Sequence, residues 1–231
     1  MRIKARAKIN WALNVLGRRP DGYHELDMLN QRLTLADEVT LTPAQDISLT
    51  LTGSPGLSSG RDNLAWRAAA LMQSRLAIPR GVHIHLHKRI PSGAGLGGGS
   101  ADAAAVMLGL NRLWGMALPL EALRSLGQTL GADVPYCLLG GFARVGGTGE
   151  IIRPLPGAPA LSLLLIQPRE SLSTKTVFER LKGCPPGEPA DLPGTAEALR
   201  QRSWQQLFRF ARNQLQQAAV SLCPAVQEAL F

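Results

Sequence analysis

Between residues 91 and 100 the chain reads Pro-Ser-Gly-Ala-Gly-Leu-Gly-Gly-Gly-Ser, and residues 101–107 follow as Ala-Asp-Ala-Ala-Ala-Val-Met. Five of those first ten residues are glycine. Glycine loses more backbone freedom on folding than any other residue, so such a run needs a structural reason. The alanine-rich continuation is strongly helix-forming. The run therefore opens as a loop and closes at a helix N-terminus, where unpaired N–H groups and the helix dipole favour a bound anion. No Gly-Lys-Ser/Thr closes it, so it is not a Walker A loop. No acidic residue ends a second strand at the distance a dinucleotide-binding unit requires. A flexible linker is the competing reading; the strand-like run before the loop and the helix directly after it weigh against that.

At 231 residues, 45% of them hydrophobic, the chain can bury a core in one domain or two small lobes. The start, Met-Arg-Ile-Lys-Ala-Arg, is charged and no apolar signal-peptide core follows it. The apolar run at 161–166 is too short to span a bilayer. Cys137, Cys184 and Cys223 are scattered without a CxxC pair, which suits a reducing, cytoplasmic setting. The net charge of +8 fits either nucleic acid or a small polyanion as partner. Its spread along the chain, rather than in blocks, weakens the nucleic-acid reading.

Residues 3–15 read as strand, short turn and strand, with Lys8 and Asn10 two apart and so on one face. A polar loop with Pro-Asp-Gly turn chemistry follows and carries Tyr23 and His24. Residues 33–41 and 47–51 are expected to pair as strands. Asn63 and Asp62 are placed to cap a helix that runs to about residue 76. Residues 82–88 alternate, with Val82, Ile84 and Leu86 on one face and His83, His85 and His87 on the other. Histidines at that period can chelate a metal; the polar face of a strand is the competing reading, because no cysteine or second histidine cluster supplies further ligands. A helix over 119–130 should end at Gly131. Residues 138–145 and 161–166 are expected as strands, the second of them buried. Pro154, Pro156 and Pro159 mark a crossing between lobes. Ser173 should cap a helix, residues 199–220 should form one helix, and Pro224 should open a last short one.

A phosphate cradle becomes an enzyme only with a group to take the acceptor's proton. Asp133, in Gly-Ala-Asp-Val-Pro, is the candidate base, against the alternative of a turn-forming aspartate. Lys8, a lone lysine on an apolar strand, is the candidate cation to hold that carboxylate ionised; an edge-strand charge is the other reading. Ser100 is placed to contact phosphate or Mg²⁺, or to cap the helix, roles that are compatible. Tyr23 and His24 offer a flat face and a hydrogen-bonding ring for a nucleobase, with Phe178 as a second face; core packing competes for both the loop and Phe178.

These segments, in this order, resemble the GHMP kinase superfamily, whose ATP-binding loop the glycine run matches. With Ala7-Lys8-Ile9-Asn10, the Arg-Pro-Asp-Gly-Tyr-His run ending at His24, and Gly-Ala-Asp-Val-Pro ending at Pro135, the chain resembles a branch that phosphorylates a cytidyl diphosphate in isoprenoid precursor synthesis. The resemblance implies an α+β, two-lobed fold. Residues 1–153 would form an ATP-binding lobe like domain 2 of ribosomal protein S5, and residues 154–231 an incomplete ferredoxin-like lobe. It implies ATP and Mg²⁺ as cofactors. Asp133 would be the base toward the substrate's 2-hydroxyl and Lys8 its partner. Pro91, Ser92, Gly93, Ala94, Gly95, Leu96, Gly97, Gly98, Gly99, Ser100 and Ala101 would lie over the phosphates, with Asn63 and Lys88 on the nucleotide side. Tyr23, His24 and Phe178 would hold the cytosine, and Asn10 and Thr174 would lie near polar groups of the substrate. The partner would be that small molecule, not nucleic acid or a membrane, and the protein a monomer or weak homodimer.

One departure stands out. The superfamily branch carries a further Gly-Ser-Gly loop near its C-terminus, whereas between Cys184 and Phe231 the glycines are Gly187 and Gly194 alone. The expectation is reduced stability, apolar surface left uncovered and little or no turnover by this chain alone. Two other readings stay open. One is nucleotide binding without turnover. The other is RNA binding through Arg202, Arg209 and Arg212 with Trp204, Phe208 and Phe210, which steep salt dependence would reveal.

Overall fold

The computed structural model describes residues 1–229 apart from 55, 158, 159, 169, 171, 185 and 186, so the crossing expected at Pro159 lies outside the described residues. The chain forms two compact units that interleave in sequence. The first comprises Met1–Lys8, Arg32–Pro91 and Leu96–Gly140; the second comprises Ile9–Gln31, Ser92–Gly95 and Gly141–Phe231. Two long strands, β1 (Arg2–Arg18) and β2 (His24–Ala44), contribute residues to both units and pair with each other.

In the first unit, residues 38–44 of β2 pair antiparallel with β4 (Gly81–His87), and β4 pairs in parallel with β3 (Ser48–Thr52). Val82, Ile84 and Leu86 are fully buried, as their period of two demands. They share that sheet face with Val39 and Leu41 of β2 and pack with them against the apolar sides of α1 (Leu64–Arg75) and α2 (Gly98–Leu113). The alanine-rich sequence of α2 has a packing reason besides helix propensity. A Cβ on Gly109 would lie 2.4 Å from both Ile3 Cδ1 and Leu41 Cδ1, so small residues let this helix lie close to β1 and β2. Two further helices, α3 (Leu120–Gln128) and α4 (Val134–Leu139), close this core. On the opposite face of β4, His83, His85 and His87 alternate with Ser48, Thr50 and Thr52 of β3 in a ladder of hydroxyl–imidazole hydrogen bonds 2.9–3.3 Å long.

In the second unit, residues 26–31 of β2 pair antiparallel with β5 (Phe142–Gly147), and β5 pairs with β6 (Ile151–Pro154). Ala12, Leu29 and Phe142 pack against Leu192, Leu199 and Leu207 from α6 (Leu192–Gln201) and α7 (Trp204–Phe210). The remaining elements are α5 (Thr174–Arg180), α8 (Gln216–Leu222) and α9 (Ala225–Glu228). Ser173 caps α5, as its hydroxyl suggests.

Several expectations are corrected. The stretch 3–15 is continuous strand, without the expected turn. The strands near 33–41 and 47–51 are not partners, because β4 lies between them. Of the strand expected over 138–145, residues 142–145 are strand, but 138 and 139 end the helix α4: Pro135 is preset for its first turn, and the positive φ of Gly140 ends it. The stretch 199–220 is three helices; Arg202 adopts a left-handed φ of 54° and terminates α6. Residues 161–166 are neither strand nor buried as a run. Leu164 is 86% exposed, and no ladder among the described residues includes it. Hydrophobicity predicts a wish for burial, but burial needs a neighbour to pair with.

Candidate active site

The glycine run divides at Gly97. Pro91 to Gly97 is loop, with Gly93, Gly95 and Gly97 at φ near +70°, and Gly98 begins α2. Gly97, not Ser100, is the N-cap, and Ser100 lies in the first helical turn. Gly97 is constrained twice. Its φ of 68° disfavours side chains, and a Cβ there would stand 3.1 Å from Cγ and 3.2 Å from Cε of Lys8. The aliphatic stem of Lys8 thus runs directly against the loop's exit. The Lys8 N–H donates to Leu96 O at 3.0 Å, which fixes β1 to the same point.

Lys8 is 7% exposed at its side chain, and its Nζ lies 3.5 Å from Asp133 Oδ2. Asp133 opens α4, but its carboxylate does not cap that helix. It is a third exposed. Next in the helix, Tyr136 is buried and Cys137 partly buried. Burial pushes the Cys137 thiol up, and the nearby Asp133 carboxylate adds to the shift; burial does the same to Tyr136. Neither is therefore ionised near neutral pH, and the Asp133 carboxylate is the basic group of this cluster.

Lys88 and Asn63 are both engaged within the first unit. Asn63 caps α1 through its side-chain oxygen, which accepts from Ala65 N–H at 2.9 Å, while its amide donates to Ser58 O. The Lys88 ammonium is buried between Asp37 and Asp102. Burial drives the Asp102 carboxyl up, against the lowering effect of Lys88, to about 7.

The second unit holds the aromatic group. His24 and Phe178 stack with centroids 5.0 Å apart and planes 22° from parallel. Two aromatic layers with a third ring between them need about 7 Å, so a base stacks on an outer face of this pair or separates it. Burial, followed by the Arg18 charge, lowers the His24 pKa, so its ring is neutral near pH 7. Tyr23 is 64% exposed beside it. Its loop is held by Arg19 N–H to Tyr23 O and by Tyr23 N–H to Asp21 Oδ1. Asn10 donates to Asn30 Oδ1 at 2.6 Å, and the buried Asn30 Nδ2 has no partner among the described residues. Thr174 is exposed at the start of α5. A shallow cavity of about 410 Å³ lies elsewhere in this unit, lined by Trp11, Leu207, Phe208, Ala211, Arg212 and Gln216. It includes none of the residues assigned above to substrate or nucleotide.

Residues 63–141 match the GHMP kinases N terminal domain family. The chain is 40% identical over 226 residues to the 4-diphosphocytidyl-2-C-methyl-D-erythritol kinase of Lachnoclostridium phytofermentans, covering 97% of this chain and 78% of that protein. It is 44% identical over 229 residues to the kinase of the same name from Rhizobium leguminosarum, covering 96% and 75%. The chain belongs to the 4-diphosphocytidyl-2-C-methyl-D-erythritol kinase family. A crystal structure of a 4-(cytidine 5'-diphospho)-2C-methyl-D-erythritol kinase superposes with a TM-score of 0.75 at 37% identity, over 99% of this chain and 81% of that one. A homoserine kinase from Cytophaga hutchinsonii superposes with a TM-score of 0.59 at 20% identity, a likeness of fold. Membership of this kinase family makes the α+β GHMP kinase fold a finding rather than an expectation.

For a member of this family, sequence reasoning passed over Asp37 and Asp102. Asp102 had a visible signal: an acid set among alanines in a helix that is buried along residues 101–107. An acid there requires a partner. Asp37 had none, since its partners are 51 residues away or more. Among the described residues, no helix is long and apolar enough to cross a membrane.

Proposed function

We propose that the site in this chain is built to transfer the γ-phosphoryl group of ATP to the 2-hydroxyl of 4-diphosphocytidyl-2-C-methyl-D-erythritol. The observation that carries the reading is the Lys8–Asp133 pair, 3.5 Å apart, built against the exit of the glycine loop. Asp133 accepts the hydroxyl proton as the oxygen attacks the γ-phosphorus, and ADP leaves. Lys8 holds that carboxylate in place. Phosphoryl transfer asks little more of a protein than positioning and charge stabilisation, and the loop residues 91–101 supply both to the phosphates. Tyr23, His24 and Phe178 hold the cytosine, and Asn10 and Thr174 take polar groups of the substrate.

Ser100, in the first turn of α2, would hold Mg²⁺ through its hydroxyl, and the ion when bound would neutralise phosphate charge. Among the described residues, no group of three or more His, Cys, Asp and Glu side chains is placed to hold a metal.

The test is a coupled ADP-release assay with phosphorus NMR of the product. Substrate-dependent ADP and a new phosphomonoester support the reading. ATP binding without turnover favours the nucleotide-binding alternative, and steeply salt-dependent RNA binding without either overturns it.

A further inference from the structure

We infer that the buried Asp37–Lys88–Asp102 cluster is a positioning brace that ties the two ends of the glycine loop together. Lys88 on this reading shapes the phosphate site rather than touching nucleotide. The inference rests on the ATP-binding role of that loop proposed above.

The cluster joins three elements of the first unit. Asp37, on β2, is fully buried and uses both its oxygens. Its Oδ1 accepts from Arg89 N–H at 2.5 Å and from Ile90 N–H at 2.8 Å, and its Oδ2 accepts from the Lys88 ammonium. This fixes the backbone entering the loop at Pro91. The Lys88 N–H donates to Thr52 O at 2.8 Å and holds the same segment to β3. On the exit side, the Lys88 ammonium donates to Asp102 Oδ2 at 2.5 Å, in the second turn of α2. One ammonium therefore bonds an acid that grips the loop's entry and an acid on the helix that forms its exit.

The two ends also touch. A Cβ on Gly98 would stand 3.1 Å from Ile90 Cγ2 and 3.7 Å from Lys88 Nζ. Seven residues, 91–97, lie between them. Three glycines in that span make it entropically costly to order. Closing its ends before ligand arrives removes part of that cost from binding.

The exposures argue against a direct nucleotide contact. The side chains of Lys88, Asp37 and Asp102 are 5%, 0% and 4% exposed. An ammonium with two carboxylate partners in a buried site does not leave them for a ligand without stranding both. Two carboxylates and one ammonium carry a net negative charge, unwelcome below a phosphate loop. Asp37 Oδ1 accepts from two backbone N–H groups, whereas Asp102 Oδ1 has no hydrogen-bond partner among the described residues. A proton on Asp102 makes the cluster neutral, in line with its raised pKa.

The experiment is amide hydrogen exchange by mass spectrometry on the whole chain, with equilibrium binding of Mg-ATP alongside. Asp102→Leu cuts the exit link and keeps the Asp37–Lys88 pair; Asp102→Asn keeps an oxygen for Lys88. We expect residues 92–97 to exchange roughly tenfold faster in Asp102→Leu, with α3 and β4 protected as in the parent and Asp102→Asn unchanged. The Kd for Mg-ATP should rise about tenfold in Asp102→Leu, and the loss should fall on KM for ATP rather than on kcat. Parent-like loop exchange in Asp102→Leu overturns the brace. So does equal loosening by Asp102→Asn. If Asp102→Leu unfolds, Lys88→Met in an Asp102→Asn background gives the same readout, and parent-like exchange there overturns it too. Absence of Mg-ATP binding by the parent protein would instead refute the nucleotide role of the loop, while the exchange data still decide the brace.

Discussion

Asp133→Asn and Lys8→Met, singly and together, separate what the pair does for stability from what it does for chemistry. Two unit charges 3.5 Å apart attract by about 5 kcal/mol at an effective dielectric of roughly 20. Most of that is offset. Lys8 is 7% exposed and loses its hydration on folding, while Asp133 is 34% exposed and partly screened. A net contribution of about 1–2 kcal/mol remains. Each single variant should therefore lower unfolding stability by about that much in urea denaturation. The double variant should lose less than the sum, because the second change removes a charge already stranded.

Turnover should behave differently. Removing the proton acceptor in Asp133→Asn should lower kcat by about 10²–10⁴-fold, which is roughly 3–5 kcal/mol of transition-state stabilisation. A stability loss of 1–2 kcal/mol leaves the protein folded at assay temperature and cannot imitate this. Mg-ATP affinity should stay within about threefold of the parent, since the acid acts on the acceptor rather than the nucleotide. A kcat for Asp133→Asn within about tenfold of the parent would refute the assignment of the base.

Other outcomes follow from single contacts. Gly97→Ala places a Cβ 3.1 Å from the Lys8 stem at a φ of 68°, so it should cost about 1–2 kcal/mol of stability by thermal melting and lower kcat by moving Lys8 from Asp133. Phe178→Ala removes one ring of the 5.0 Å stack; KM for the cytidyl substrate should rise about tenfold with KM for ATP unchanged in initial-rate assays. Asp102 gives a pH signature in urea midpoints. The folded chain keeps its proton up to about pH 7, whereas the unfolded chain releases it near pH ~4. Its contribution is thus fully present below pH ~4 and is lost as pH rises to about 7. Asp102→Asn should flatten that slope; Lys88 and Asp37, the charged groups that face it, stay as they are in this variant.

Legibility in the sequence followed the range of the interaction. The helix of residues 64–75, its Asn63 cap, the Ser173 cap and the alternation of β4 are all short-range patterns, and they are present as read. What went unread depended on distant partners. Residues 33–41 and 47–51 look like a hairpin because they are close in sequence, yet β3 pairs in parallel with β4, which arrives some 30 residues later. Residues 161–166 have strand composition, but composition does not supply the adjacent edge that makes a strand. The stretch 199–220 has helical composition throughout, yet it breaks at Arg202, which takes a left-handed φ, without a Gly or Pro to mark the break.

The candidate site divides the same way. Lys8 and Asp133 each stand out as a charge out of place in its local setting. Their expected pairing is present, 3.5 Å apart across more than a hundred residues, and the fold supplies its geometry. Lys88 is the converse case. A lysine just before a phosphate loop suggests the nucleotide side, and a single chain segment offers no other anion for it. The fold offers two, one from β2 and one from α2, and buries all three groups. An ammonium so placed has its charge already spent on neighbours, and its influence on a phosphate must pass through the backbone that those neighbours hold. Cationic residues next to an anion site are thus sorted into contact and support by how many buried carboxylates they already bond, a quantity that only the folded chain defines.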